Sequence, residues 1–298
     1  MNEEICLEPF SISGYSLFLK REDQIHPVVS GNKFRKLKYL VHDMKASPKK
    51  AILTFGGAFS NHIAATAAIG KLMDIPTVGL IRGEELEQLR TSNPTLQYAY
   101  QCGMRLIYMN RSDYRLKGQE EVLKKYIPNL DEYYIIPEGG TSSLAVKGCS
   151  EILSEADTNF DYIATAVGTG GTFAGILNSL QPHQQGLGFS VLNGTFQKEI
   201  LGKFSNNTHY HLTDTFNFGG YAKIDSELVR FINKFKEITR IQLDPVYTAK
   251  MMYGIMNLMQ EGYFRKNSRI LAIHTGGLQG IKGMNLRLKS KNLPQIEI

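Results

Sequence analysis

The chain has 298 residues, 42% of them hydrophobic, which is enough for a large core at the size where single cores divide in two. Lys plus Arg number 34 against 28 Asp plus Glu, giving a net charge of +6 and a pI of about 9.0. That surplus is spread along the chain without a basic run, which argues against a nucleic-acid binder, and no run of 18 or more apolar residues could span a membrane.

Cys6, Cys102 and Cys149 are odd in number and far apart, so neither a disulfide framework nor a zinc ribbon is expected. The acidic start Met1-Asn2-Glu3-Glu4 is followed by no apolar signal segment, and a soluble cytoplasmic protein with reduced thiols is the expectation.

In chain order, an apolar run at 51–55 ends at Gly56-Gly57, and Asn61–Met73 has the period of a helix. A strand at 77–81, a helix at Pro94–Gln101 and a strand at Arg105–Met109 follow. A charged helix near 118–126, a strand at Tyr133–Ile136 and a helix near 143–156 come next. The strand Tyr162–Val167 runs into a glycine turn and a helix at 173–180, and a strand is expected at 189–192. The helices Ser226–Thr239 and 245–261 precede a last strand at 269–274. Continuous apolar strands alternating with helices predict an α/β protein whose parallel sheet is covered on both faces. There is no internal repeat and no low-complexity linker, so composition draws no domain boundary.

In open α/β sheets ligands bind beyond the carboxyl ends of the strands, facing the free N–H groups of helix starts. Three turns fit: Gly56-Gly57-Ala58-Phe59-Ser60-Asn61-His62, Gly168-Thr169-Gly170-Gly171-Thr172 and His274-Thr275-Gly276-Gly277. The second has three glycines that let the backbone form a nest of donors, with the hydroxyls of Thr169 and Thr172 beside it, and reads as a phosphate cup. A dinucleotide fingerprint would need glycine where Phe173 stands and an acid near Phe189 or Ser190; a Walker loop would need a lysine that is absent. The phosphate therefore belongs to a small cofactor that needs a reactive partner. Lys33, in Ser30-Gly31-Asn32-Lys33-Phe34-Arg35-Lys36-Leu37, follows a Gly-Asn turn at an expected helix start, where the dipole and nearby cations disfavour an ammonium. Such a lysine suits Schiff-base formation. Taken by itself, the same segment reads better as a solvated basic helix face, since Arg35, Lys36 and Lys38 crowd it.

The order of motifs decides between these readings. Ser-Gly-Asn-Lys-x-Arg-Lys-Leu, Gly-Gly-x-x-Ser-Asn-His, Gly-Thr-Gly-Gly-Thr-x-Ala-Gly and Leu-Asp-Pro-Val-Tyr-Thr occur in that sequence. Together they resemble the 1-aminocyclopropane-1-carboxylate (ACC) deaminase and D-cysteine desulfhydrase family of pyridoxal 5'-phosphate (PLP) enzymes, from about Lys20 to Gly277. The resemblance implies the tryptophan synthase β-like PLP fold (fold type II): two open twisted α/β domains with the active site in the cleft. A smaller domain at 38–147 would be inserted into a larger PLP-binding domain of 1–37 plus 148–298.

It also implies roles. Lys33 would hold the cofactor covalently and later act as a base, and Lys36 and Gly168, Thr169, Gly170, Gly171 and Thr172 would hold its phosphate. Ser60 would take part in proton transfer, Asn61 would touch the cofactor ring oxygen, and Ser60, Asn61 and His62 would meet the substrate carboxylate. Tyr221 and Tyr247 match two active-site tyrosines. The family's ACC deaminases carry glutamate where Thr248 stands. A carboxylate facing the pyridine nitrogen strengthens the electron sink, and a hydroxyl cannot carry that charge. Ring opening expels a carbon leaving group, whereas a thiol of pKa about 8.5 leaves readily as its anion. Thr248 is similar to the residue of the desulfhydrase branch, so α,β-elimination on a small, D-cysteine-like amino acid is expected, giving pyruvate, ammonia and sulfide. ACC deamination to 2-oxobutanoate is the enzyme alternative; β-replacement, racemisation and a non-catalytic small-molecule binder are the others. Two stretches depart from the family, a short 181–202 and Phe218-Gly219-Gly220 before Tyr221. A homodimer is implied by the family's habit.

The remaining features read blandly. His209-x-His211 would put two imidazoles on one strand face, too few for a metal site, and none is expected. Asp157 and Asp161 read as caps. Met251, Met252, Met256 and Met259 form a helical stripe suited to core or a dimer surface.

Overall fold

Ten strands sort into two sheets in the computed structural model, which describes residues 1–298 except Ser30, Leu89, Arg90 and Thr195. The strands are β1 (Asn2–Ile5), β2 (Ser16–Lys20), β3 (Ala51–Gly56), β4 (Thr77–Arg82), β5 (Arg105–Met109), β6 (Tyr133–Ile136), β7 (Tyr162–Val167), β8 (Gln185–Ser190), β9 (Tyr210–Thr213) and β10 (Arg269–Ile273). The larger sheet has the order β1-β2-β10-β7-β8-β9, with β1 antiparallel to β2 and every other pair parallel. The smaller sheet, β5-β4-β3-β6, is parallel throughout.

Burial follows the apolar pattern. All six residues of β3 and all six of β7 are buried, as strands covered by helices on both faces must be. The methionine stripe lies in helix Thr248–Gln260, and Met251, Met252, Met256 and Met259 are all buried in the core of the larger sheet, against β7 and β8. Asp157 is an interior cap: it closes a capping box with Ser154 and takes a salt bridge from Lys20 at 2.6 Å. Asp161 accepts from the Arg269 backbone N–H at 2.7 Å, tying the start of β7 to the start of β10.

Several element limits differ from the sequence reading, for local reasons. The strand expected at 189–192 runs from Gln185 to Ser190, its first half obscured by Gly186 and Gly188. A Cβ at Gly188 would stand 2.6 Å from the Phe173 ring, so the glycines make room for an aromatic. The helix expected from residue 245 begins at Thr248, because Asp244-Pro245 forms its cap loop. The segment expected to be helical over 143–156 is a helix over Ser143–Ser150 and a separate short turn at Glu155–Asp157.

Helix Ser143–Ser150 packs on helix Asn32–Ala46, the helix that carries both candidate lysines. The contact is close: a Cβ at Gly148 would lie 2.0 Å from the Arg35 carbonyl oxygen. Gly148→Ala is expected to cost about 2–3 kcal/mol through forced separation of the two helices. A urea titration checks this, and an unchanged midpoint would refute the close packing.

Candidate active site

The two sheets present the carboxyl ends of β3 and β6 and of β7 and β10, and each of these strands runs into a glycine turn and then a helix. Between these turns lies a cleft of about 500 Å³, part of it open to solvent. Lys33, Lys36, Asn61, Gly139, Gly168, Thr169, Gly170, Thr172, Tyr247 and Thr275 are among its lining residues. An adjoining recess shares Asn32, Lys33, Asn61 and Thr275 and extends past Tyr98 and Gln279.

Lys33 is the second residue of its helix. Gly31, just before, has φ 65°, and a Cβ there would meet the Thr275 carbonyl oxygen at 1.9 Å, so the lysine turn passes directly over the turn after β10. Ser30, which opens the motif, lies outside the described residues. Asn32 donates through its N–H to Thr275 O at 3.3 Å and through Nδ2 to Thr172 Oγ1 at 2.8 Å. These contacts fix Lys33 between two turns. Its Nζ donates to Gly139 O at 3.1 Å. Burial, and then the neighbouring Lys36 ammonium, hold the Lys33 pKa well below that of an ordinary lysine. Lys36, one helical turn on, is buried, donates to the same Gly139 O at 2.9 Å and lies 3.3 Å from Thr141 Oγ1; burial lowers its pKa as well.

The turn at 168–172, expected to hold a phosphate, runs directly into a helix start. Gly170 has φ 94°, and a helix begins at Gly171. Among the described residues, no protein acceptor takes the N–H groups of Thr169, Gly170 and Gly171. A Cβ at Gly171 would strike Thr141 Oγ1 at 2.8 Å, and one at Gly168 would press on the Tyr247 ring at 3.2 Å. Thr169 and Thr141 share a 2.6 Å hydroxyl–hydroxyl hydrogen bond, joining the turn after β7 to the turn after β6. That second turn, Pro137-Glu138-Gly139-Gly140-Thr141, was not singled out from sequence. The signal was present: an apolar strand followed by Gly-Gly, as in the other three turns. Thr275, also without an assigned role, lines both the cleft and the recess.

Ser60 is the N-cap of helix Asn61–Met73, with Oγ accepting from the Ile63 N–H at 3.3 Å. Among the described residues no acceptor takes the backbone N–H groups of Asn61 and His62. Asn61 lines the cleft, and its Oδ1 accepts from Gln279 Nε2 at 2.7 Å. The His62 side chain does not join the cleft wall. It is buried, with Nε2 2.7 Å from Thr54 Oγ1, and Thr54 donates its one hydroxyl proton to Ile136 O at 2.9 Å. His62 Nε2 must therefore carry the proton, leaving Nδ1 as a buried acceptor without a partner. Burial, with Lys33 and Lys36 nearby, holds His62 neutral by lowering its pKa far below the usual imidazole range.

Tyr247 lines the cleft and meets Tyr221 edge to face, with ring centroids 6.1 Å apart. Tyr221 is 42% exposed and is not among the lining residues. Burial, then Tyr221, pushes the Tyr247 pKa well above the phenol range, and desolvation at the hydroxyl end of the half-exposed Tyr221 raises that of its phenol, so both are protonated donors at neutral pH. Thr248 departs from its expected place. It is fully buried, donates from Oγ1 to Asp244 Oδ1 at 2.7 Å and accepts from the Asp244 N–H at 2.8 Å, and it lines neither the cleft nor the recess. Its hydroxyl closes a helix cap. Among the described residues, no carboxylate lines the cleft or the recess.

His209 and His211 do not share a site: His209 Nδ1 lies 2.8 Å from Gln184 O, while His211 faces the Tyr263 ring. Among the described residues there is no group of three or more His, Cys, Asp or Glu that could hold a metal, and no helix is long and apolar enough to cross a membrane.

An amine of lowered pKa, a cup of free N–H groups and threonine hydroxyls, and a second lysine beside it fit an aldehyde cofactor carrying a phosphate. Residues 7–276 match the family of pyridoxal-phosphate dependent enzymes, and the chain belongs to that family. Within it, a Thermotoga maritima protein provisionally named as a 1-aminocyclopropane-1-carboxylate deaminase is 32% identical over 298 residues, covering 92% of this chain and 93% of its own. An Arabidopsis thaliana protein named bifunctional D-cysteine desulfhydrase/1-aminocyclopropane-1-carboxylate deaminase, mitochondrial, is 30% identical over 300 residues, 90% of this chain and 74% of its own. A crystal structure described as an ACC deaminase homologue matches with a TM-score of 0.81 at 26% identity, covering 97% of this chain and 93% of that one. The O-acetylserine dependent cystathionine β-synthase of Helicobacter pylori, with a TM-score of 0.66 at 16% identity, shares the fold.

Proposed function

We propose that this PLP-dependent enzyme is a lyase that eliminates a thiolate from the β-carbon of a small amino acid, with D-cysteine as the best-fitting substrate. The balanced reaction is D-cysteine plus water giving pyruvate, ammonia and hydrogen sulfide. The observation that carries this reading is a cleft wall without a carboxylate among the described residues. When bound, the cofactor supplies an electron sink, and a carboxylate against its ring nitrogen would deepen that sink. A wall without a carboxylate suits a substrate whose leaving group departs easily, and a thiolate does.

In this reading Lys33 Nζ, poorly solvated and readily neutral, takes the proton from the substrate α-carbon. The free N–H groups of Asn61 and His62, at a helix N-terminus, bind the substrate carboxylate through the backbone, and His62 contributes no side-chain contact. Tyr247, protonated and at the wall, supports the departing group, with Tyr221 behind it. Lys36, Thr169, Thr172 and the 168–172 backbone hold the phosphate, and Asn61 orients the ring. Ser60, with Oγ committed to its cap, keeps a hydroxyl proton to donate. Residues 38–147 form the smaller domain, supported by the confinement of β3–β6 to one sheet, and 1–37 with 148–298 form the larger. A homodimer rests on the family's habit alone, and light scattering tests it.

ACC ring opening is the second reading, favoured by the names of the Thermotoga maritima and Arabidopsis thaliana relatives. The two are separated by assaying D-cysteine, L-cysteine and ACC with one preparation and measuring pyruvate and 2-oxobutanoate. For D-cysteine kcat/KM is expected to exceed that for ACC by at least about tenfold, about 1.4 kcal/mol of transition-state discrimination. Equal or greater turnover of ACC would overturn the elimination reading.

A further inference from the structure

Lys250 is 1% exposed, in the first turn of helix Thr248–Gln260. A cation there opposes the positive end of the helix and loses its hydration, so both the dipole and burial disfavour it. Its Nζ donates to Asn217 O at 2.7 Å and to Gly220 O at 2.8 Å. Each of these carbonyls also closes a turn: the Gly220 N–H donates to Asn217 O at 3.0 Å and the Lys223 N–H to Gly220 O at 3.1 Å. The two turns are consecutive, and Tyr221 lies in the second. The segment is costly to hold, since Phe218 and Ala222 have φ of 54° and 53°, in the left-handed region that non-glycine residues avoid.

The same helix start also fixes the other tyrosine. The Asp244 carboxylate accepts the N–H groups of Val246 and Tyr247 on Oδ2 and that of Thr248 on Oδ1. One helix end thus grips Tyr247 through an anion and the Tyr221 loop through a cation.

We propose that Lys250 is a positioning residue that sets Tyr221 against Tyr247 by clamping the carbonyls of Asn217 and Gly220. This rests on the role given above to the tyrosine pair. Burial lowers the Lys250 pKa to about 8, and the groups that oppose this are Asp244, before its own helix, and Asp225, which caps helix Ser226–Thr239. A cation kept at that cost, bound to two carbonyls of a strained loop, is placed for geometry.

The test uses the PLP-loaded enzyme carrying Lys250→Met, a change of similar volume that leaves no buried charge, with Lys250→Gln as a variant that can still donate to one carbonyl. Exchange of the 218–223 amides is expected to speed about 100-fold in Lys250→Met and less in Lys250→Gln, with little change in the helix cores. kcat is expected to fall about tenfold or more, with KM and the cofactor absorbance unchanged. Adding Lys250→Met to Tyr221→Phe should lower kcat by less than twofold further. Additive losses, or a KM and absorbance that move with kcat, would show a general structural role and overturn the proposal. Should Tyr221→Phe alone keep full activity, the tyrosine reading is what fails. The clamp then stands if exchange in 218–223 accelerates in Lys250→Met and falls if it does not.

Discussion

Lys33→Ala is expected to lower 2-oxo-acid release by at least about 10⁴-fold and to abolish the visible absorbance of covalently held cofactor. Two functions would be lost together: the covalent anchor and the base at the substrate α-carbon, the latter alone worth about 10²–10⁴-fold. Lys36 is poorly placed to substitute, although it is also buried with a lowered pKa. Both amines donate to Gly139 O, but that of Lys36, one turn further along the helix, also lies 3.3 Å from Thr141 Oγ1, which is bonded to Thr169 of the turn proposed to hold the phosphate. The two lysines therefore give different outcomes. Lys36→Ala should retain the absorbance band at saturating PLP, while Lys33→Ala should not show it at any concentration. Added methylamine should restore a measurable part of the lost rate in Lys33→Ala by supplying a small free base. A variant within tenfold of the wild-type rate, or one with an unchanged absorbance band, would move the reactive amine elsewhere and remove the basis of the proposed function.

The cleft was legible in the sequence where glycine patterns recorded backbone geometry. The turn at 168–172 and the Gly31–Lys33 turn lie against one cleft because Asn32 bridges them to Thr172 and to Thr275. A motif read along the chain gives neither contact, since each spans more than a hundred residues; the family resemblance supplied that missing dimension. Alternating strands and helices likewise suggested the parallel sheets, but not that β3–β6 would separate from the rest, because strand order is set by long-range pairing that periodicity does not encode. β1 and β2 were missed, β1 because three of its four residues are polar and its apolar signal is weak, while β9 was read only as a strand carrying His209 and His211.

Side-chain direction was the least legible feature. His62 sits in the right motif, yet its ring turns inward to Thr54, and what the turn offers a substrate is its backbone. Thr248 follows Tyr247 directly, but successive residues of a helix start point to different sides, and the Asp244 cap claims its hydroxyl. Both outcomes depend on a neighbour's unmet hydrogen bond: the imidazole satisfies a buried threonine, and the threonine satisfies a buried carboxylate.

Thr248→Glu turns that geometry into a second large expected effect. If the hydroxyl faced a cofactor ring, glutamate would supply the carboxylate found in the family's ACC deaminases and raise ring opening at the expense of elimination. The structure leads to a different expectation. Thr248 is fully buried and its Oγ1 is 2.7 Å from Asp244 Oδ1, so a glutamate would have to ionise in the interior beside an existing carboxylate or expel it from its cap. Asp244 could not then hold the N–H groups of Val246, Tyr247 and Thr248, and the helix start that carries Tyr247 and Lys250 would loosen. A loss of about 3–5 kcal/mol in a urea titration is expected, with elimination falling and no gain in ACC turnover. Thr248→Ser keeps the donor and should lie within about 1 kcal/mol of wild type, whereas Thr248→Val removes it and should cost about 1–3 kcal/mol. A Thr248→Glu protein as stable as wild type that opens ACC faster would place residue 248 against the ring and return the choice between the two reactions to that single side chain.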